Sequence, residues 1–129
     1  MTFLDTSAIY ALADRNDPHH QAAKVKLQAL LEREEAILTH NYVLVESMAL
    51  VQNRLGLTAA IKLTESARAF QLEWVEIRLH NDAVRRLKAS RKRQVSFVDQ
   101  VSFLVMRSRG VNTAFAFDPH FEDEGFRLC

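Results

Sequence analysis

Short apolar runs alternate with longer amphipathic stretches along this chain, and the alternation predicts strands interleaved with helices. The predicted strands fall at 1–4, 36–39, 74–77, 114–117 and 126–129. The predicted helices cover 7–14, 18–34, 42–51, 58–70, a stretch that opens at 81, and 97–109. This order favours right-handed βαβ units around a mostly parallel sheet. We therefore expect one α/β domain over residues 1–129, a three-layer α/β/α sandwich whose central sheet has four to five strands.

Acidic residues stand at conspicuous places in this pattern. The first predicted strand ends on Asp5, and the fourth ends on Asp118. Ser96 precedes Asp99 by three positions at a helix start, which is the spacing of a capping box, with Asp where Glu or Gln is usual. Glu46 lies inside an almost continuous apolar run, which predicts a buried helix. A carboxylate inside such a helix has to be paired, protonated or bound to a cation.

These four acids are expected to meet. Asp5 and Asp118 emerge at the same edge of a parallel sheet, where open α/β sheets bind ligands. Asp99 at a helix N-terminus and Glu46 on a neighbouring helix are able to join them. Two unit charges 4 Å apart repel by about 4 kcal/mol at an effective dielectric near 20, so the cluster needs protons or cations. Oxygen ligands favour Mg²⁺ or Mn²⁺, and a pair of such ions is a known clamp for phosphodiester cleavage.

Three hydroxyl residues neighbour these acids. Thr6 and Ser7 follow Asp5 directly, and Ser96 begins the helix that carries Asp99. Each hydroxyl is suited to hydrogen-bond a metal-bound water or a phosphate oxygen. Each is equally suited to cap a helix, and the sequence alone leaves both roles open.

Composition adds a compartment and a candidate binding surface. The lone cysteine, Cys129, excludes an intramolecular disulfide and favours a reducing compartment. No apolar run reaches about 18 residues, so we expect a cytoplasmic protein without a membrane span. The net charge is only +1, but six basic residues cluster in one stretch: Arg85, Arg86, Lys88, Arg91, Lys92 and Arg93. Beside an acidic metal site, this cluster suits a polyanion such as RNA; a solvated helix face is the competing interpretation.

Four segments carry a resemblance to a known family. In chain order they are Phe3-Leu4-Asp5-Thr6-Ser7, Tyr42-Val43-Leu44-Val45-Glu46, Ser96-Phe97-Val98-Asp99 and Phe115-Ala116-Phe117-Asp118-Pro119-His120-Phe121. They are similar to the successive acidic motifs of PIN domains. The likeness extends over the whole chain, and the VapC-like group of toxin–antitoxin ribonucleases is the most similar.

The resemblance implies a function and a set of partners. It implies a PIN-like sandwich and an endoribonuclease dependent on Mg²⁺ or Mn²⁺, with Asp5, Glu46, Asp99 and Asp118 as the metal-site acids. It also implies an RNA substrate, a homodimer and a VapB-type antitoxin. The chain departs from the family pattern at Pro119-His120, where many relatives have a basic residue, so the role of His120 is open.

Two other functions compete with this one. The first is a PIN-like module that binds RNA or protein without cleaving, although a pure RNA binder has no use for acids facing an anionic ligand. The second is a phosphoaspartyl enzyme or receiver with Asp5 as the phosphorylated residue. The phosphatase motif needs an acid at position 7, where Ser7 stands, and a receiver needs a lysine near its last strand, whereas none lies between Arg93 and Cys129. The sequence does not name the RNA target.

Overall fold

A five-stranded, fully parallel sheet forms the centre of the protein, seen here as a computed structural model of residues 1–129. Its strands are β1 (Thr2–Leu4), β2 (Ile37–His40), β3 (Gln71–Glu73), β4 (Thr113–Phe115) and β5 (Arg127–Leu128). The strand order is β3-β2-β1-β4-β5. The chain therefore winds from β1 through β2 to β3 and then crosses back to the other side of β1. The predicted α/β class and the parallel sheet are confirmed.

Seven helices surround this sheet. They are α1 (Thr6–Ala13), α2 (His20–Glu32), α3 (Asn41–Leu55), α4 (Leu57–Ser66), α5 (Ile77–Ser90), α6 (Phe97–Arg109) and α7 (His120–Asp123). Helices α1 to α4 pack against one another, and α5 packs against α6. The crossovers from β1 to β2 and from β3 to β4 run in opposite directions, so right-handed connections put these two helix groups on opposite faces. No helix combines the length and the apolar character that crossing a membrane requires.

The core fixes the relative positions of β1 and β4. The largest fully buried side chains are phenylalanines: Phe3, Phe103, Phe115 and Phe121. Leu4 pairs with Phe115 in the parallel register, and the amide of Asp5 donates to the carbonyl oxygen of Phe115 at 3.1 Å. The chain segments that leave β1 and β4 are thereby held side by side.

The strand predicted at 74–77 is wrong in position. The strand that pairs with β2 is Gln71–Glu73, and α5 already begins at Ile77 rather than at Asn81. Trp74 and Ile77 are 67% and 73% exposed. Both residue types are common in strands, which is why a strand was predicted here. Their β-propensity reflects packing on a half-buried sheet surface, and neither side chain packs in this way here.

Further boundaries differ from the prediction, among them that of the fourth strand, which was predicted at 114–117 and lies at Thr113–Phe115, so Asp118 does not directly follow it. The helix predicted over 58–70 ends at Ser66 and continues as a 3₁₀ turn over Ala67–Ala69. Helix α7 was not predicted, because a helix this short carries no periodic pattern. The short fifth strand was predicted at 126–129 and forms at the sheet edge as Arg127–Leu128.

The prediction that Glu46 lies in a buried helix is also wrong. Helix α3 buries one line of side chains, Val43, Ser47 and Val51, at four-residue spacing. Val45 is 65% exposed, and Glu46 is exposed beside it. An apolar run predicts burial on all sides only if neighbouring elements cover every face of the helix, and this face of α3 is left open.

His40 links three elements below the surface. It is fully buried at the end of β2, where its Nδ1 accepts from the amide of Val43 at 3.2 Å and so caps α3. Nδ1 as acceptor leaves the proton on Nε2, which lies 2.8 Å from the hydroxyl of Ser102 in α6. Burial lowers the pKa of His40 from 6.5 to about 3. No periodicity or motif in the sequence indicates this bridge.

The neutral form of His40 is therefore required by the fold, and acid should destabilise it. The unfolded state takes up a proton near pH 6.5, whereas the folded state resists until about pH 3. The contribution of His40 to stability should fall by roughly 3 kcal/mol between pH 7.5 and 4.5. Denaturant unfolding of the parent and of His40→Asn at both pH values measures this. We expect the variant to be less stable at pH 7.5 but to lose less on acidification.

The exposed His19 provides the control. His19→Asn should keep the full acid sensitivity of the parent. Equal losses in the parent and in His40→Asn would contradict the assignment of this sensitivity to His40.

Candidate active site

The candidate site lies at the carboxyl edge of the sheet, between β1 and β4. This is the point at which the strand order reverses, because β2 and β3 lie on one side of β1 and β4 and β5 on the other. Loops leaving two strands at such a point diverge and leave a crevice, in which open α/β sheets bind their ligands. Asp5 directly follows β1, and Asp118 follows β4 by three residues.

Asp5 is held rigidly at the start of α1. Its Oδ2 accepts from the amide of Ser7 at 3.1 Å and from the hydroxyl of Ser7 at 2.7 Å. The same hydroxyl oxygen accepts from the amide of Phe117 at 2.9 Å. Ser7 thus orients the Asp5 carboxylate and ties it to the segment that carries Asp118.

The environment of Asp5 opposes its charge. Its side chain is buried, and burial is the main reason that its pKa rises from 3.8 to about 6. The two bonds from Ser7 lower the pKa, and the nearby charge of Asp99 raises it. The ionised form is thus present at neutral pH, but at a cost in folding free energy.

Asp99 reaches the site from the first turn of α6. Its Oδ2 accepts from the amide of Ser96 at 2.9 Å, and its own amide donates to the Ser96 hydroxyl at 3.1 Å, so the predicted capping box forms. Burial raises the pKa of Asp99, and the charge of Asp118 raises it further. The cap fixes the carboxylate, and the neighbouring acids repel it.

Asp118 and His120 form a closely spaced group with Asp99, and Asp5 lies outside that group. Nδ1 of His120 lies 2.7 Å from Oδ1 of Asp118 and 3.6 Å from Oδ2 of Asp99. The His120 amide also donates to Oδ1 of Asp118 at 2.9 Å. Potential ligand atoms of Asp99, Asp118 and His120 all lie within 4.8 Å of one another. The sequence left His120 without a role, and the turn at Pro119 is what brings it to the two acids.

The residues present fit a divalent cation. Carboxylate oxygens are the preferred ligands of Mg²⁺ and Mn²⁺, and a positive ion would offset the raised proton affinity of the buried acids. Two buried polar atoms near these acids, Oγ1 of Thr6 and Nδ1 of His120, have no hydrogen-bond partner. Of the three predicted hydroxyls, that of Ser7 donates to the Asp5 carboxylate, that of Ser96 accepts from the Asp99 amide, and that of Thr6 has no partner.

Glu46 does not join this closely spaced group. It is exposed on α3 and forms neither a hydrogen bond nor an ion pair within the protein. Helix α3 packs against α1, whose N-cap is Asp5, so both acids belong to adjoining elements.

The basic cluster divides into two parts. Arg91, Lys92 and Arg93 lie in the loop after α5 and line a cavity of about 490 Å³, which His120 and Asp123 also line. These three cations are exposed, and they border the acidic site through His120.

The earlier basic residues lie on α5 itself. Arg86 donates from Nε to Oε1 of Gln100 at 2.9 Å and pairs with Glu124, so it holds α5 against α6 and the segment after α7. Arg85 pairs with Asp82 one turn before it, and Lys88 is exposed.

The buried charge of Asp5 should cost stability when no metal is present. Asp5 binds a proton below about pH 6 in the folded state and only below 3.8 in the unfolded state, so its contribution to stability rises as the pH falls between these values. At pH 7.5 the ionised group costs at most about 3 kcal/mol, and at pH 5 roughly half of that. We expect Asp5→Asn, measured by denaturant unfolding in EDTA, to be about 1–3 kcal/mol more stable than the parent at pH 7.5.

The difference should shrink at pH 5. The exposed Asp123 supplies the matched control, since Asp123→Asn should change stability little at either pH. A parent that is more stable than Asp5→Asn at pH 7.5 would show that the carboxylate is stabilised by its surroundings instead.

Comparison with known proteins agrees with this geometry. The family model described as PIN domain matches residues 2–126. The chain is 37% identical over 131 residues to the 23S rRNA-specific endonuclease VapC20 of Mycobacterium tuberculosis strain CDC 1551 / Oshkosh, covering 98% of this chain and 95% of the relative. The VapC20 of strain ATCC 25618 / H37Rv gives the same values.

The fold agrees as well. The crystal structure of Mycobacterium tuberculosis VapC20, a sarcin–ricin loop cleaving toxin, superimposes with a TM-score of 0.87 at 33% identity, covering 98% of this chain and 96% of that one. The phosphoaspartyl enzyme and the receiver are thereby set aside. On the family match, the sequence identity and the fold, this chain belongs to the PIN domain family.

Proposed function

We propose that this chain is a metal-dependent endoribonuclease and the toxin of a toxin–antitoxin pair, in a single nuclease domain over residues 1–129. One observation carries the proposal: Asp99 and Asp118 lie close together at the sheet edge, Asp5 is near enough to interact with Asp99, and burial raises the pKa values of Asp5 and Asp99. A fold keeps such a costly arrangement where a cation is to be bound. The endonuclease activity of the VapC20 relatives supports the same chemistry.

Each acid has a proposed task. Asp5, Asp99 and Asp118 hold Mg²⁺ or Mn²⁺, with Glu46 supplied from the open face of α3 when substrate and metal are present. The metal would supply the charge that ionises water and stabilises the leaving oxygen. Thr6, whose buried hydroxyl has no partner, is the residue available to orient a water or a phosphate oxygen. Ser7 and Ser96 act indirectly, by fixing the carboxylates of Asp5 and Asp99.

RNA is the proposed substrate, and the basic loop is its proposed contact. Arg91, Lys92 and Arg93 line the cavity beside His120, so phosphates bound there would lie next to the acids. The VapC20 relative acts on 23S rRNA at the sarcin–ricin loop, which makes ribosomal RNA the first substrate to test.

Partners are part of the proposal. We expect a homodimer and a VapB-type antitoxin, as the family resemblance implies, in the cytoplasm. Support comes from large apolar side chains left exposed on the surface, with Val45, Trp74 and Ile77 each at least 65% exposed. An apolar groove of about 240 Å³ between α1, α2 and α4, lined by Ile9 and Leu63 among others, offers a second surface of this kind.

The alternative is a PIN-like module that binds RNA or protein without cleaving. A protein that only binds anionic RNA gains nothing from three carboxylates in its binding site. The charge on Asp5 also lowers the stability of the folded protein. A protein-binding module would be served by the exposed apolar residues alone, without a buried acidic group.

Replacement of Asp99 should abolish cleavage. With 23S rRNA and a structured RNA pool, we expect cutting in Mg²⁺ or Mn²⁺ and none in EDTA. Asp99→Asn should lower the rate by more than about 100-fold, because losing a direct metal ligand costs more than the 10- to 100-fold typical of residues behind the ligands. The Asn side chain still accepts from the Ser96 amide, so the variant should fold and be at least as stable without metal.

Glu65→Gln, which neutralises an exposed acid on α4 outside the cavity that His120 lines, serves as the control and should cut at the parental rate. A well-folded Asp99→Asn protein with full activity would refute the site. Absence of cutting by the parent, together with absence of metal binding by calorimetry, would favour the non-catalytic module.

Neutralising the basic loop should weaken RNA binding. In Arg91→Gln/Arg93→Gln, measured with uncleaved RNA in EDTA, we expect lower affinity and a shallower slope of log K against log salt. The slope should decrease by about 0.7 for each single-stranded phosphate that the loop no longer neutralises. Arg85→Gln/Lys88→Gln removes the same charge from α5 and should change the slope less. Identical slopes in both double variants would contradict a specific role for the loop.

A further inference from the structure

His120 has a ring nitrogen in an unusual position. Nδ1 is buried and makes no hydrogen bond, although Oδ1 of Asp118 is only 2.7 Å away. The distance allows a bond, but the ring is not oriented to aim its nitrogen at that oxygen. The backbone that carries the ring is held in place, since the His120 amide donates to Asp118 and the next residue, Phe121, is fully buried in the core.

The spacing is that of two ligands on one ion. Ligands at right angles on an ion with bonds of about 2.1 Å lie roughly 3 Å apart, and opposite ligands roughly 4 Å. The distance of 3.6 Å from Nδ1 to Asp99 lies between these two values. The distance of 2.7 Å from Nδ1 to Asp118 is slightly shorter than the lower value. All three donor atoms lie within 4.8 Å of one another.

The donor set also bears on the choice of metal. Two carboxylates alone suit Mg²⁺ and Mn²⁺ alike, whereas imidazole nitrogen favours transition-metal ions. Mg²⁺ prefers oxygen ligands and gives up water reluctantly, so it gains little from a nitrogen in this position. Mn²⁺ accepts both kinds of donor.

We infer that His120 binds the metal through Nδ1 and thereby makes the site prefer Mn²⁺ over Mg²⁺. The inference rests on the proposed function, because it requires that Asp99 and Asp118 hold a divalent cation. It goes further by adding a nitrogen ligand to the carboxylates and by assigning to that ligand the selection of the metal. A competing role, in which His120 only orients the Asp118 carboxylate, predicts equal effects on both metals.

The decisive variant is His120→Asn. The Oδ1 atom of asparagine stands about where Nδ1 of histidine stands, so the change replaces a nitrogen donor with an oxygen donor. Calorimetry of the full chain with MnCl₂ and with MgCl₂, without RNA, gives both affinities. We expect Mn²⁺ affinity to fall by about 10-fold, Mg²⁺ affinity to change by less than about 3-fold, and the Mn²⁺ preference to drop accordingly.

A spectroscopic measurement identifies the nitrogen directly. Pulsed electron paramagnetic resonance of bound Mn²⁺ should detect a directly coordinated ¹⁴N in the parent and none in His120→Asn. His20→Asn is the matched control, because the Nδ1 of His20 is held by the carbonyl oxygen of Ala11 at 2.7 Å. It should keep both the coupling and the metal preference.

The outcomes separate the two proposals. Mn²⁺ bound by the parent without nitrogen coupling, or equal losses for both metals in His120→Asn, would overturn the ligand assignment and leave the nuclease proposal standing. A parent that binds neither ion would overturn the metal site itself and the role of His120 with it. Circular dichroism establishes that each variant is folded before the titrations are compared.

Discussion

Burial of carboxylates at the point where the strand order reverses, together with their mutual repulsion, is the constraint on which this structure depends. Asp5 and Asp99 are buried, and their pKa values are raised by burial and by neighbouring acids. Such a group survives in a folded protein only if other interactions hold it. The phenylalanine-rich core and the register between β1 and β4 provide these interactions. A bound cation would offset the remaining free-energy cost of the buried charges.

Helix starts supply most of the local compensation. Asp5 caps α1, and Asp99 lies in the first turn of α6, where backbone amides and the helix dipole favour negative charge. Ser7 and Ser96 each bond the acid beside them, which explains why hydroxyl residues accompany these acids in the sequence. The same bonds that cap the helices therefore aim the carboxylates into the crevice.

Positively charged side chains lie beside this crevice without forming ion pairs with its acids. The loop cations at 91–93 stay exposed beside His120, whereas Arg86 is engaged by Glu124 and Gln100 within the fold. A cationic rim next to an anionic centre matches a substrate whose phosphates need both attraction and a metal. The six basic residues that look alike in the sequence are thus divided by the fold into side chains left exposed and side chains paired within the protein.

The sequence by itself determined the α/β class, the parallel sheet, the capping box at Ser96 and the position of Asp5 at the end of the first strand, because periodicity and capping are local properties. Tertiary structure decided the rest. It exposed Glu46 and Ile77, buried His40 as a bridge between β2, α3 and α6, and turned His120 onto two acids. Burial and proximity depend on which elements cover a given face, and that information is spread over residues far apart in the chain.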